Sequence, residues 1–339
     1  MNSPDKNGAT AVKQAGVGQS GQGRLIGILK LWGTITVIFL VGVLFSVLSP
    51  WFFTLSNFNN ILFSMIVSAL VSMGLTYVVV AGSFDLSIGL IVTTASIVTA
   101  LMIPVGGPVV AVIVALLASA VIGLFNGILI TYGRLSGIVV TLGMSFVLGG
   151  LNLYVTGGYQ VPVDYAEEGF RFLGQGRIGW IAVPVIVMLV IALFAHGLAT
   201  KTRAGYYITA VGDNPMAAYY SGINVYFWLI VAFILSAVFS GMGGVLLTAI
   251  STSAQPVGGQ GYLLESFAAV YLGATVFGKG KPHILGTFIG VFFLYMLSAG
   301  MNMLGVPFAT RQLANGLILI LAVGANALLN REEIHLKFI

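Results

Sequence analysis

Hydrophobic positions along the chain are gathered into long runs, each closed by a short polar or Pro/Gly-rich break. The runs fall near 31–49, 61–81, 86–103, 108–131, 138–156, 181–199, 226–250, 265–278, 284–304 and 311–329. About 20 apolar residues in a helix cross the hydrocarbon core of a bilayer, so the pattern predicts about ten transmembrane helices. Membrane strands would instead show ten-residue segments of alternating polarity, and these runs do not alternate. The expected fold class is therefore an all-α polytopic membrane protein. The run at 265–278 is the shortest, and the one at 86–103 starts directly behind Asp85. Residues 1–23 are polar, rich in Gly, Gln and Ser, and expected to be disordered. The domain plan is then a tail over 1–30, a membrane domain over 31–330 and a short tail over 331–339. The run from Leu31 to Leu48 is too long for the core of a signal peptide and lacks a small-residue cleavage site, so it reads as a retained first span. Two sets of five spans would suit inverted halves, although no repeat is visible at the residue level.

The pattern fails conspicuously at one place. Residues 200–224, "TKTRAGYYITAVGDNPMAAYYSGIN", turn polar and mixed. Within them Asn214 or Asp213 suits a helix N-cap, Pro215 a first helical position and Gly222 a C-terminal stop, predicting a short helix over 216–220. A second polar break, 157–180, carries Asp164, Glu167, Glu168, Arg171 and Arg177. It reads equally as an external docking surface or as a solvated loop.

Composition supports the membrane assignment: 58% of the residues are hydrophobic and only 7% charged, against about 25% charged in soluble domains. Threading the ten spans from a cytoplasmic N-terminus places eleven Lys and Arg inside (6, 13, 24, 30, 134, 201, 203, 279, 281, 331 and 337) and three outside (171, 177 and 311). That bias is the positive-inside signature. It puts both termini and the 200–224 loop in the cytoplasm. The net charge of +5 is spread between spans and forms no patch for nucleic acid. The chain has no cysteine, which excludes disulfides and thiolate metal sites.

Candidate chemistry is sparse. "GATVFGKG", 273–280, approaches a phosphate-binding loop but has Gly280 where a Ser or Thr should reach magnesium, and an apolar span precedes it. The basic residues there read more simply as a cytoplasmic turn. His196, His283 and His335 are scattered and offer neither metal spacing nor a nucleophile–base pair, so no catalytic residue, metal or cofactor is expected. Small-xxx-small pairs at Gly123/Gly127, Ser240/Gly244 and Gly286/Gly290 predict close helix packing. Two acids stand against apolar surroundings, Asp85 in "AGSFDLSIG" and Glu265 at the start of a span. Acids within a membrane are costly and usually functional. Asp85 suits a cap for the third span, with Ser87 and Gly89 in its first turn, and equally a role in a pathway or its gating.

Four stretches carry a resemblance. "GSFDLSIG" (82–89), "NGILITYGRLSGIVVTLGM" (126–144), the 200–224 loop and "GYLLESFAAVYLGATVFGKGKPHILGTFIG" (261–290) are similar, in order, to signature blocks of the ribose-type permeases of bacterial ATP-binding-cassette importers, in the branched-chain amino acid/ribose permease superfamily. The likeness runs from about residue 55 to 329. Departures include Tyr206 in place of an Arg, Asp213 in place of a second glycine, Leu263 in place of an acid and Glu265 in place of Asp. The resemblance implies a multi-pass permease of the bacterial cytoplasmic (inner) membrane that pairs with a second copy or paralogue. A cytoplasmic ATP-binding-cassette ATPase would drive it, and an external (periplasmic) binding protein would deliver a sugar or related polar solute. The loop would be the coupling element, through Arg203, Gly205, Gly212, Asp213, Asn214, Ala217, Ala218 and Gly222, with Ala217 and Ala218 small enough to lie in a partner's groove; spacing alone equally allows a plain connector. Asp85, Ser87, Asn126, Thr141 and Glu265 would be pathway or gating residues. The rival expectation is a proton- or sodium-coupled secondary transporter that uses Asp85 and Glu265.

Overall fold

The computed structural model describes residues 21–163, 168–276 and 280–329. The tails 1–20 and 330–339, the acids Asp164 and Glu167, and Lys279 lie outside the described residues. The chain forms α1 (Gly21–Leu48), α2 (Leu55–Ser64), α3 (Ile66–Val80), α4 (Ile88–Thr131), α5 (Gly137–Thr156), α6 (Glu168–Gln175) and α7 (Val183–Lys201). After these come α8 (Arg203–Asp213), α9 (Pro215–Tyr220), α10 (Val225–Ser251), α11 (Gly261–Thr275), α12 (Ile284–Met303) and α13 (Phe308–Leu329). Four two-residue strands pair as β1 (Val161–Pro162) with β4 (Ser253–Ala254) and β2 (Arg177–Ile178) with β3 (Ile181–Ala182), both antiparallel.

Among the described residues α4, α5, α7, α10 and α12 are long and apolar enough to cross a membrane. The pair α2–α3, bent by 50° at Met65, makes a sixth. The fold is thus helical and multi-pass. The remaining predicted runs lie on α1, α11 and α13, outside that set. α1 begins at Gly21, so the helix starts ahead of the apolar run and takes in residues 21–30. The sequence from Leu25 to Leu48 contains no proline to stop the apolar helix from extending backward.

A straight 44-residue α4 would be about 66 Å long, twice a bilayer core. It is not straight. Gly107, between Pro104 and Pro108, leaves helical geometry at φ 76° and ψ 177°, a conformation open to glycine. The packing shows the result. Along the first limb, Val92 and Ser96 meet Gly244 and Thr248, so residue numbers rise together; along the second, Ser119, Gly123 and Gly127 meet Gly241, Phe233 and Ile230, so they run oppositely. The two limbs are therefore antiparallel, as the separate runs 86–103 and 108–131 anticipate.

Buried side chains concentrate on α3, where 13 of 15 residues are enclosed, and on α10, which packs against α3 and both limbs of α4. The anticipated small-residue pairs sit at these seams. A Cβ on Gly127 would lie 2.9 Å from Ile230 Cα, and one on Gly74 would lie 2.8 Å from the Ser236 carbonyl. Gly286 and Gly290 likewise meet Gly273 and Ala269 of α11. Such contact lets backbones approach where lipid offers no hydrophobic gain. Large apolar side chains outside the seams, including Phe146, Leu193 and Ile320, are exposed, as a lipid-facing surface requires. Within the second polar break, α6 buries Phe170 and Gly174 against α10, and β1 pairs with the strand that follows α10.

Candidate functional site

Between α3 and α4 the chain leaves the helix at Ala81 and re-enters at Ile88. Asp85 lies in this break and is completely buried. Its Oδ1 accepts hydrogen bonds from the Ser87 amide (3.0 Å) and hydroxyl (2.6 Å), and its Oδ2 accepts one from Ser236 Oγ of α10 (3.0 Å). Asn126 Nδ2, on the second limb of α4, donates to Ser87 Oγ at 3.0 Å. On α5, Thr141 Oγ1 accepts from the Leu86 amide (3.0 Å), while Ser145 Oγ donates to the Leu86 carbonyl (2.8 Å). Asp85, Ser87, Asn126 and Thr141 thus converge, although they are up to 56 residues apart in sequence (141 − 85). Their polar atoms fasten the break to both limbs of α4, to α5 and to α10. Ser145 and Ser236 were not singled out from sequence, because a lone serine in an apolar span usually bonds its own preceding turn.

The capping expectation for Asp85 is corrected in detail. Ser87 occupies the N-cap position of α4 and makes no side-chain cap bond; Asp85, two residues earlier, receives the Ser87 amide. Both acids lie near helix ends as expected, Asp85 between the end of α3 and the start of α4 and Glu265 on the fifth residue of α11, but Asp85 lies deep beside α10. Ser236 is the twelfth of the 27 residues of α10, so Asp85 sits near that helix's middle.

The 200–224 stretch is a chain of capped helices. Thr202 caps α8 by accepting the Gly205 amide (3.4 Å), Asn214 caps α9 by accepting the Ala217 amide (3.0 Å), and Asn224 caps α10 by accepting the Phe227 amide (3.1 Å). Pro215 stands at the start of α9, and Gly222 closes it at φ 82°, as the residues predict. α8 went unpredicted; its signal is the spacing of Gly205, Ile208 and Val211, all buried. Gly205 presses on the Ala199 carbonyl and Gly212 on the Val80 carbonyl at the end of α3, contacts too close for any side chain. Asp213 pairs with Lys281 (2.9 Å), so the 280–283 turn and the loop share one end of the molecule. Arg203 is exposed there. Met216, Ala217, Tyr219 and Tyr220 are exposed as well, while Ala218 is 4% exposed. That corrects the pairing of Ala217 with Ala218 as partner-facing residues, because Ala218 points into the permease itself.

Beside the loop, a cavity of about 980 Å³ opens between the ends of α3 and α7 and the 280–285 turn; Tyr77, His196, Thr209 and His283 are among its walls. The two histidines share this cavity, and among the described residues no group of His, Asp and Glu suited to a metal occurs.

Glu265 is not part of the Asp85 network. It lies a full turn inside α11, and its Oε2 accepts a hydrogen bond from Tyr295 of α12 at 2.8 Å. A separate recess of about 220 Å³ opens beside it, walled also by Leu264, Ser298 and Gln312. Neither cavity is lined by Asp85, Ser87, Asn126 or Thr141.

Comparison with known proteins adds a further finding. Residues 57–323 match the family described as branched-chain amino acid transport system / permease component. The chain is 35% identical over 292 residues to the ribose import permease protein RbsC of Escherichia coli strain K12, covering 85% of this chain and 91% of that protein. It is 34% identical over 308 residues to the ribose import permease protein RbsC of Bacillus subtilis strain 168, covering 91% and 94%. It is 31% identical over 303 residues to the D-allose transport system permease protein AlsC of Escherichia coli strain K12, covering 88% and 92%. No solved structure matches the chain.

Proposed function

Because the chain belongs to the branched-chain amino acid transport system permease family, we propose that it is the membrane subunit of an ATP-driven importer for a sugar. The names of its relatives, permeases for ribose and D-allose, support that substrate class. In this reading the protein lies in the bacterial inner membrane with ten spans, both termini and the α8–α9 end in the cytoplasm, and works beside a second copy or a paralogue. A cytoplasmic ATPase carries the nucleotide site, and an external binding protein delivers the sugar.

The observation that carries the reading is α9. Three large apolar side chains, Met216, Tyr219 and Tyr220, are each more than 60% exposed on a capped helix at a polar end of the molecule. An exposed apolar cluster rimmed by polar residues marks a protein contact. Pressure on α9 reaches α8, whose Gly212 abuts the end of α3, and the next residues of that chain form the break held by Asp85. Alternating access needs two discrete packings of helices, each favoured by a different state of the partner. Gly212, the Val80 end of α3 and the 81–87 break form a continuous route by which closing of the ATPase shifts the packing of α3 against α10.

The test uses the permease reconstituted with its ATPase and binding protein. Ala217→Trp, on the exposed side of α9, leaves the permease inserted but abolishes the response of ATP hydrolysis to loaded binding protein. Ala218→Trp, on the buried side, instead lowers the amount of folded permease. Full coupling with Trp at 217 makes α9 a plain connector and removes the assignment.

A further inference from the structure

The recess beside Glu265 belongs neither to the loop nor to the Asp85 network, and nothing in the coupling route uses it. We propose that it is a transient subsite for one sugar molecule on its way through the membrane, with Glu265, Tyr295 and Gln312 receiving its hydroxyls. This rests on the sugar-import reading above. Three features carry the assignment.

The first is polarity where lipid forbids it. Glu265 is half-buried, and Gln312 of α13 is exposed at the rim together with Gly261, Leu264 and Gly316. An acid beside a mouth open to hydrocarbon would be costly, so the proposal places this mouth on water. The second is size. Ligand pockets for drug-sized molecules span about 300–1,000 Å³; this one, at about 220 Å³, suits a smaller ligand such as a single sugar ring. The third is the arrangement of donors and acceptors. Tyr295 directs its hydroxyl hydrogen to Glu265 Oε2, with the Ser68 hydroxyl beside the pair, and Oε2 keeps a second lone pair to accept from a ligand hydroxyl. The other carboxylate oxygen accepts another, and the Gln312 amide offers both a donor and an acceptor. Leu264, Ala268 and Leu294 supply an apolar wall for the C–H face of the ring. Few polar partners and a partly open mouth suit brief contact, as a pathway requires when a separate protein performs the selection.

The experiment measures uptake of D-ribose and D-allose together with ATP hydrolysis, in vesicles holding the complete transporter and saturating loaded binding protein. Glu265→Gln lowers sugar moved per ATP about tenfold, the factor carried by one charge-assisted hydrogen bond. Tyr295→Phe and Gln312→Ala each lower it about threefold, on the scale of a neutral bond. In all three, loaded binding protein still stimulates hydrolysis. Unchanged sugar per ATP overturns the subsite. So does a parallel fall in uptake and hydrolysis, which marks Glu265 as merely structural. Should Glu265→Gln fail to fold, Gln312→Ala decides alone, because its side chain is exposed. A wild-type transporter that imports neither sugar removes the functional reading, and the subsite with it.

Discussion

Asp85 and Glu265 are both acids among apolar helices, yet their surroundings differ in kind. Asp85 has no exposed surface; both carboxylate oxygens are occupied, and donors arrive from the adjoining turn and from α10. Glu265 accepts from Tyr295, has the Ser68 hydroxyl close by, and has an open recess beside it. A network this nearly closed, in which Asn126 Oδ1 is the one buried side-chain atom left without a partner, holds a shape, because removing one member strands the others without water to replace it. A half-filled one leaves bonding capacity for something that comes and goes. The difference teaches that an acid in a membrane span is not by itself a transport site; what matters is whether its oxygens are already spoken for.

The largest effect expected from breaking this contrast is at Asp85. Asp85→Leu strands the Ser87 amide, the Ser87 hydroxyl and the Ser236 hydroxyl. At about 1–3 kcal/mol for each buried group left unpaired, it costs roughly 3 kcal/mol or more and sharply lowers the folded permease recovered from membranes. Asp85→Asn retains an oxygen for Ser87 and an amide toward Ser236, so it preserves most folded protein and most uptake. If instead both variants fold and both lose all uptake, Asp85 carries a coupling ion and the contrast collapses. An intermediate effect belongs to Ser236→Ala, which removes one bond between the break and α10. Interhelical hydrogen bonds in membranes are worth about 0.6 kcal/mol on average and up to about 1.7, so a measurable fall in thermal stability in detergent is expected at the upper part of that span. The smallest is Tyr295→Phe, which unties Glu265 beside an open recess where water takes over. Its stability stays within about 0.5 kcal/mol of the parent, as for a substitution away from a buried network. A loss comparable to that of Ser236→Ala would show that the two acids are held alike.

Much of this was legible in the sequence, because a bilayer restricts the choices. The apolar runs mark the helices, and the reversal at Gly107 is written in Pro104-Val105-Gly106-Gly107-Pro108. The caps at Asn214 and Gly222 follow from residue types whose local bonding is nearly independent of the rest. Asp85 and Ser87 stood out as an acid and a cap among apolar residues, and Asn126 and Thr141 through likeness to a family, yet their meeting rests on how both limbs of α4, α5 and α10 pack, which no local pattern encodes. Ala218 misled for the same reason. Alanine suits a tight contact, but only packing decides whether that contact is with a partner or with the chain's own α8 and α10. α8 itself was hidden because its buried stripe uses a glycine, Gly205, which carries no hydrophobic signal.

The bond between Asp85 and Ser236 spans 151 residues of sequence, and that separation has a consequence for biosynthesis. At about 5–20 residues per second of chain growth, roughly 8–30 seconds pass between the emergence of the acid and that of its partner on α10. Throughout that interval the break between α3 and α4 is made without the helix that closes over it. The nascent hairpin of α4 therefore has to wait at the insertion site, or beside water, with an acid that a finished bilayer would reject. α10 is then less a late addition than the step that commits the earlier helices to lipid, and slowing or misdirecting its entry would expose the first half of the permease to quality control.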